Sequence, residues 1–162
     1  MAPSINLKGL TTREAIADAA YRAVQGIDTY DLDLFKSALV DLNELSFEMN
    51  GVQMQGEDVI LDSVFNFVGP LPTTHSLSNI RIDVDNDTAD RACMTAYAVA
   101  VHYRKDEGMD PTTQHFTSAG IYTMDMIKDS NDGLWKIKKW AVKFVWFDGD
   151  RSITAREGFP AR

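Results

Sequence analysis

The chemistry available to this sequence depends on its histidines, of which there are three: His75, His102 and His115. Histidine can serve as a general acid or base near neutral pH with little tuning of its pKa. His75 stands at the start of one segment with strand-like alternation, and His102 stands at the end of the next. We predict that both are catalytic residues at the margin of one curved sheet, which forms a pocket. His115 follows a polar loop and is expected to be exposed.

Proton transfer next to a carbonyl, or expulsion of a β-hydroxyl, also needs a group that orients the histidine and a donor that stabilises the enolate. Asp31 is the candidate for orienting His102, and Tyr30 for donating to the substrate carbonyl. Asn79 or Ser118 could hold a second oxygen. Simpler alternatives stay open: Asp31 could only cap a helix, Asn79 could only bond backbone at a bulge, and His102 could be a core histidine.

The composition limits the kind of partner. A net charge of −8 argues against nucleic acid, because binding to a phosphate backbone needs clustered lysine and arginine. There is no run of about 18 apolar residues, so no membrane span is expected. The chain start lacks the features of a secretory signal, which makes a cytoplasmic location the default expectation. The expected partner is a small polycyclic or aromatic molecule.

Motifs for cofactors and metals are missing from the sequence. The histidines lack the close paired spacing of a metal motif, and there is no glycine-rich phosphate loop or dinucleotide fingerprint. The one cysteine, Cys93, cannot form an internal disulfide and is expected to be a buried thiol. We therefore expect no cofactor and no metal.

The first half of the chain has mostly helical patterns. Thr11 and Glu14 have the spacing of a capping box, followed by apolar residues at three- and four-residue steps. This predicts a helix of about 15 residues. A second short helix is predicted from Asp28 to about Leu39, a strand over residues 45–49, and a third helix over residues 57–68.

The second half alternates with a period of two, typical of strands. Four long strands are predicted over residues 74–84, 89–103, 115–127 and 134–147. In the second of these, one face carries three alanines and His102, which leaves room for a ligand. The layout is α+β, with helices on one face of an antiparallel sheet. Residues 148–162 are expected to be a loosely ordered tail, or to dock on a neighbouring subunit.

The last strand is predicted to be apolar on both faces. Strict alternation puts Trp140, Phe144 and Trp146 on one face, and Ile137, Ala141, Val145 and Phe147 on the other. One face would cover the core and the other could contact a second subunit. We expect a homodimer or a homotrimer.

The order of elements resembles that of the SnoaL-like members of the nuclear-transport-factor-2-like superfamily over about residues 10–147. The His75-x-x-x-Asn79 strand start and the following Ile-Asp-Val-Asp-Asn-Asp-Thr-Ala run carry this resemblance. It implies one domain over residues 1–162 with a cone-shaped fold. In that fold a curved antiparallel or mixed sheet has about three helices packed over its concave face.

A narrower resemblance is to scytalone dehydratase, a cofactor-free lyase of fungal melanin synthesis. It rests on Asp28-Thr-Tyr30-Asp31, on the positions of His75 and His102, and on Ser118. Phe47 falls near a pocket tyrosine of that family and lacks its hydroxyl, and Gly120 replaces an asparagine. The resemblance thus implies a member of fungal secondary metabolism that acts on a different substrate.

Together these observations predict a cofactor-independent lyase or isomerase. Its substrate would be a ring derived from a polyketide or terpenoid, with His102, Asp31 and His75 as catalytic residues. The predicted substrate-binding residues are Tyr30, Asn79, Ser118, Phe47 and Tyr122, the last on the same strand face as Ser118. Two alternatives stay open: a non-catalytic module that binds a ligand or a protein, and a pericyclase-like enzyme that mainly folds its substrate.

Overall fold

Helix α1, Thr12–Asp28, begins at the predicted capping box in the computed structural model, which describes residues 5–155. The Thr11 hydroxyl accepts from the backbone N–H of Glu14, whose carboxylate accepts from the backbone N–H of Thr11 at 2.7 Å. These two bonds satisfy donors that a helix start leaves unpaired. The apolar stripe, rich in alanine, is fully buried and packs on the sheet.

Helix α2, Leu32–Ser37, packs directly against the end of α1. A Cβ atom at Gly26 would lie 2.5 Å from the backbone nitrogen of Phe35, so only glycine permits this approach. Between the helices, Tyr30 has a φ of +53°, which reverses the chain. Asp31 is the N-cap of α2: its carboxylate accepts from the backbone N–H of Leu34 at 3.0 Å.

The third predicted helix, residues 57–68, consists of α3, Glu57–Ile60, a π-helical turn, Leu61–Phe65, and α4, Asn66–Val68. Ile60, Val64 and Phe65 are buried. A π-helical turn adds a residue to the repeat and is frequent at functional sites. Here it turns Ser63 and Val64 toward the cavity described below.

Six strands form one sheet in the order β2-β1-β6-β5-β4-β3. They are β1, Ser46–Met49, β2, Val52–Met54, β3, Thr73–Asp83, β4, Arg91–Tyr103, β5, His115–Lys128, and β6, Trp135–Gly149. β1 pairs with β6 in parallel and all other neighbours are antiparallel. The predicted α+β class and the mixed curved sheet are confirmed, whereas the short strand β2 was not predicted.

Two bulges on β6 change which of its side chains face inward. The register with β5 shifts twice, and each shift reverses the alternation. The first bulge brings buried Ile137 to the face of Trp140. The second brings Phe147 to the face of Phe144, which lines the cavity, while Val145 and Trp146 are 62% and 49% exposed. The two faces predicted from strict alternation are wrong for this reason. The homodimer or homotrimer stays a prediction.

A buried arginine joins the helices to the sheet. Arg22 on α1 is 4% exposed and donates to Asp18 at 2.8 Å, to the carbonyl and hydroxyl of Ser37, and to the carbonyl of Trp135 at 2.8 Å. A buried charge is tolerated when it is paired and hydrogen-bonded in this way. The contacts fix α1 against the end of α2 and the start of β6.

Cys93 lies on the outer face of β4 and is exposed, so the prediction of a buried thiol is wrong. Ala92 and Met94 on either side of it are buried, because alternate residues of a strand face opposite sides. Within residues 5–155, no helix has both the length and the hydropathy needed to cross a membrane.

The predicted C-terminal tail, residues 148–162, is only partly described. β6 runs to Gly149, past the predicted end of the core at residue 147, and a 3-10 turn follows at Arg151–Thr154. This turn is ordered by its own cap, since the Asp150 carboxylate accepts from the backbone N–H of Ser152 at 2.9 Å. Residues 156–162 lie outside the described part of the chain.

We expect Gly26→Ala to destabilise the protein. The added methyl group would meet the Phe35 backbone, and the resulting displacement of α2 should lower the free energy of unfolding by roughly 1–2 kcal/mol. This loss should appear although alanine favours helix by about 1 kcal/mol over glycine. Urea unfolding measures it. Gln25→Ala, at the neighbouring exposed position of the same helix, is the control and should not destabilise; a stabilising Gly26→Ala would contradict the packing argument.

Candidate active site

A cavity of about 450 Å³ lies between the helices and the inner face of the sheet. Volumes in this range suit ligands with a few fused rings. Its wall is mainly apolar and aromatic, and its polar side chains are His75, His102, Ser118, Tyr122, Asn50, Ser63, Arg151, Ser152 and Thr154. The cavity therefore combines a dry surface with a small number of groups able to do chemistry.

Asp28 holds His75, which lines the cavity, by two short hydrogen bonds. The Asp28 Oδ1 atom lies 2.6 Å from Nδ1 of His75, and Oδ2 accepts from the backbone N–H of His75 at 2.7 Å. The two side chains are only 15% and 9% exposed. Because an ionised carboxylate only accepts, Nδ1 must carry the proton. When the ring is neutral, its other nitrogen, Nε2, is then the acceptor.

His102 lies beside His75, with the two rings edge to face and their centroids 5.7 Å apart. Its Nδ1 is 2.8 Å from the hydroxyl of Thr73, the residue paired with it across β3 and β4. Burial, and next the nearby His75, lower the pKa of His102 from 6.5 to about 4, while the charge of Asp28 opposes the shift. His102 is thus a neutral imidazole at neutral pH.

Aromatic side chains form the wall next to the histidines. Trp140 packs edge to face with Phe47 at 5.2 Å and with Tyr122 at 5.3 Å between centroids. Burial raises the pKa of Tyr122, and the charge of Asp28 adds to this, so its hydroxyl stays a donor. Among the described residues, the buried Nε1 of Trp140 has no hydrogen-bond partner. Ser118, 7% exposed, completes this side.

Three predicted site residues do not line the cavity. Asp31 is not bonded to His102. It caps α2, which is the simpler alternative given in the sequence analysis. Tyr30 is 48% exposed, stacks on Phe65 and donates to Asn66 at 3.1 Å. Both residues follow the end of α1 and are exposed.

Asn79 is the third of them, and it occupies the β3 bulge with a φ of +49° and an exposed side chain. His115 is half-buried, rests against Tyr103 and lies outside the cavity. The predicted residues that do line the cavity are His75, His102, Ser118, Phe47 and Tyr122.

Sequence reasoning missed three residues at this site, Asp28 as the partner of His75, Thr73 and Arg151. Asp28 carries a signal that could have revealed it. A carboxylate is disfavoured at a helix C-terminus by the helix dipole, and Asp28 is the last residue of α1. Asp31 stands at a helix start, where a carboxylate needs no further explanation. No comparable signal marks Thr73 or Arg151.

Histidine, cysteine, aspartate and glutamate are the side chains that most often bind metal ions. Across residues 5–155, no group of three or more such residues is arranged to hold a metal ion. His75 contacts Asp28, and both His75 and His102 line a mainly apolar cavity.

Comparison with known protein families identifies one match. The SnoaL-like domain model matches residues 8–141, which is most of the chain. A curated relative from Penicillium crustosum, the terrestric acid biosynthesis cluster protein E, is 38% identical over 144 residues, covering 89% of this chain and 90% of its own.

Solved structures share the fold at lower identity. A scytalone dehydratase candidate from Novosphingobium aromaticivorans has a TM-score of 0.67 at 18% identity, covering 84% of this chain and 85% of its own. A hexachlorocyclohexane dehydrochlorinase, LinA type 2, has a TM-score of 0.67 at 22% identity, covering 91% and 95%. A nuclear-transport-factor-2-like protein from Salmonella enterica has a TM-score of 0.67 at 18% identity, covering 94% and 97%. The predicted superfamily fold is confirmed.

The low pKa of His102 predicts how stability depends on pH. Because the folded-state pKa, about 4, lies below the unfolded value of 6.5, this group's contribution is complete above pH 6.5 and is lost as pH falls toward 4. Between about pH 7.5 and about pH 4.5 the loss from this group should be roughly 2.5 kcal/mol.

Urea unfolding of the wild type and of His102→Gln at both pH values measures this contribution. The wild type should lose more stability than the variant by about that amount, since glutamine does not titrate. Equal losses in the two proteins would show that His102 does not resist protonation in the folded state.

Proposed function

The chain belongs to the SnoaL-like domain family, and from that membership we propose that it is a cofactor-independent lyase or isomerase. Its substrate is a ring derived from a polyketide or terpenoid in secondary-metabolite biosynthesis. The observation that carries the proposal is the Asp28–His75 pair, which faces a neutral His102 in an apolar cavity. The reaction is dehydration, double-bond migration, cyclisation or rearrangement, begun by removal of a proton next to a carbonyl.

His75 is the general base of this proposal. With Nδ1–H held by Asp28, Nε2 accepts the proton of a carbon acid, and the C–H electron pair moves into the carbonyl to give an enolate. The imidazolium that forms is stabilised by the Asp28 carboxylate at 2.6 Å. The bond from Oδ2 to the His75 backbone keeps the carboxylate in place, so the base is oriented before the substrate arrives.

His102 is the donor of this proposal. If the Thr73 hydroxyl donates to Nδ1, the proton of the neutral ring is on Nε2, where it can donate a hydrogen bond to the developing enolate oxygen. The pKa of about 4 keeps this ring an imidazole instead of an imidazolium beside His75. One ring then accepts and the other donates, which is the division of roles that acid–base catalysis requires.

Which reaction follows depends on where the enolate electron pair and the proton on His75 go next. In a dehydration, the enolate expels a β-hydroxyl, which takes the proton of the His75 imidazolium and leaves as water, so that His75 returns to its neutral form. In an isomerisation, the imidazolium of His75 returns its proton to another carbon of the conjugated system. Ser118, Tyr122 and Phe47 all line the cavity. In this proposal the two hydroxyls bond substrate oxygens and Phe47 packs on a ring.

The relatives support this class of reaction. The curated relative is named for a biosynthesis cluster. Two fold neighbours are named for eliminations, of water in one case and of hydrogen chloride in the other. An elimination of either kind begins from the same requirement, a base next to a carbon acid in a dry cavity.

We expect Asp28→Asn to abolish most of the activity while Asp31→Asn retains it. Asparagine at position 28 can donate to Nδ1 and so stabilises the wrong tautomer of His75, which should lower the rate roughly 10²–10⁴-fold. Asparagine at position 31 is as good a helix cap as aspartate. The two variants make the same chemical change three positions apart.

Mass spectrometry of a panel of cyclic β-hydroxy ketones, incubated with each protein without added cofactor, is the measurement. Loss of water, or deuterium uptake next to the carbonyl in heavy water, should occur with the wild type and Asp31→Asn. Retention of activity in Asp28→Asn would remove the pair from the mechanism. No reaction of the wild type with any ketone of the panel would count against the enzymatic function itself.

The role given to His102 predicts a graded effect at Thr73. In Thr73→Val the tautomer of His102 should no longer be fixed, and the turnover number should fall about tenfold, in line with the loss of one hydrogen bond. Thr73→Ser should restore the tautomer and the turnover number, because serine keeps the hydroxyl. Nitrogen-15 NMR of the histidine rings reads the tautomer directly. An unchanged His102 tautomer in Thr73→Val would contradict this role for the hydroxyl.

A further inference from the structure

Tyr122 stands out among the polar side chains of the cavity because its hydroxyl has no partner in the described protein. The side chain is 8% exposed and lines the cavity from β5. Within residues 5–155, nothing forms a hydrogen bond with this hydroxyl. Buried polar groups are normally hydrogen-bonded, since leaving one unpaired costs free energy. The missing partner therefore has to be explained.

The Tyr122 hydroxyl is open to the cavity. Among the described residues, Nε1 of Trp140 is the one buried polar side-chain atom that is both covered and unbonded. The unbonded hydroxyl of Tyr122 is not covered in this way, so it keeps open surface, and the space that Tyr122 lines is the cavity. An acceptor atom of a bound ligand can therefore reach it.

Packing holds the Tyr122 ring in place. The ring lies edge to face with Trp140 at 5.3 Å between centroids, and Trp140 packs in the same way on Phe47 at 5.2 Å. Trp140 and Phe47 are each 2% exposed, so neither ring has free space in which to move. The hydroxyl thus has a defined position before a ligand binds, which lowers the cost of forming a hydrogen bond to it.

The strand register separates Tyr122 from His102. Tyr122 pairs with Ala96 of β4, six residues before His102, so the two positions are roughly 20 Å apart along the strand. The Tyr122 ring packs on Trp140, which pairs with Met124, still farther from His102 in the register. An oxygen atom at Tyr122 is therefore a different one from the oxygen at His102.

The surroundings of the Tyr122 hydroxyl suit a neutral acceptor. Burial raises the pKa of this hydroxyl, and the charge of Asp28 adds to the shift, so the phenol stays protonated and can donate. The same two causes disfavour a ligand anion at this position, because it would lose hydration and meet a negative charge. A carbonyl or ether oxygen accepts a hydrogen bond without carrying a charge.

We propose that the Tyr122 hydroxyl donates a hydrogen bond to a neutral oxygen of the substrate, a carbonyl or ether oxygen, distinct from the oxygen bound at His102. The substrate is then an uncharged ring compound with at least two separate oxygen functions. The identity of the bound molecule as substrate rests on the proposed function, but the acceptor subsite itself does not. Binding can therefore be tested apart from turnover.

The test compares 2,6-diacetylnaphthalene with 2-acetyl-6-isopropenylnaphthalene, which has the same shape but a methylene group in place of one carbonyl oxygen. Isothermal titration measures the affinity of each probe. The wild type should bind the diketone about tenfold more tightly, and Tyr122→Phe should remove this preference by weakening the diketone alone. A third probe, 2,6-naphthalenedicarboxylate, carries a charge at each end and should bind the wild type more weakly than the diketone.

Tyr97→Phe is the matched control, because it makes the same chemical change at a 52% exposed position of β4 outside the cavity. It should keep the preference for the diketone. Equal weakening of both probes in Tyr122→Phe, an unchanged preference in that variant, or equal loss in Tyr97→Phe would overturn the proposal. So would tighter binding of the dicarboxylate, or no binding of the diketone at millimolar concentration.

Urea unfolding without ligand separates a binding role of the hydroxyl from a structural one. Tyr122→Phe should not lower the urea midpoint, since the hydroxyl bonds nothing within residues 5–155. A lower midpoint would show that the hydroxyl serves the fold, and would overturn the proposal. Asp28→Asn should still prefer the diketone, so failure of the catalytic proposal and failure of this one appear in different measurements.

Discussion

The bond between Asp28 and His75 is the interaction on which the site depends. One carboxylate holds both the ring and the backbone of His75, and so joins the last residue of α1 to the beginning of β3. Helix dipole effects oppose a carboxylate at this end of a helix. The buried N–H groups of His75 offset that cost, since charge-assisted hydrogen bonds are about twice as strong as neutral ones. For Asp28 to make these bonds, α1 has to end at this residue. Tyr30, whose backbone φ is in the left-handed region, allows the chain to turn there.

Two chemically identical side chains have different surroundings. His75 meets a carboxylate, whereas His102 meets a hydroxyl and an apolar wall, and its low pKa keeps it neutral at neutral pH. The two rings are close, and His75 adds to the lowering of the pKa of His102 that burial causes. An apolar cavity strengthens both effects because charges interact more strongly where water is excluded.

The last strand shapes the far end of the cavity. Trp140 and Phe144 alternate normally on the inner face, and the second bulge of β6 adds Phe147 to the same face. The wall therefore stays aromatic along its length, and Arg151 comes to rest where that wall ends. Gly149, with a φ of +83° and its Cα close to the carbonyl of His115, allows the chain to leave β6 toward this turn. A side chain at Gly149 would collide with that carbonyl.

Local patterns by themselves determined the helices, the long strands and the α+β class. The capping box at Thr11, the alternation from Thr74 onward and the alanine face that includes Ala98 and Ala100 depend on near neighbours, and the structure has all three. The resemblance carried by His75 also led to the family that the comparisons show. These features are encoded by residues a few positions apart, where backbone geometry sets what is possible.

Only the tertiary structure decided which polar groups meet. Asp28 and Asp31 are both plausible partners for a histidine by spacing, but the passage of β3 across the end of α1 selects Asp28, 47 residues before His75. Asn79 lies at a bulge of β3 instead of in the cavity wall, and the bulges of β6 changed which of its side chains face inward. Contacts across such distances depend on how whole elements pack, and a one-residue shift in register sends a side chain to the opposite face.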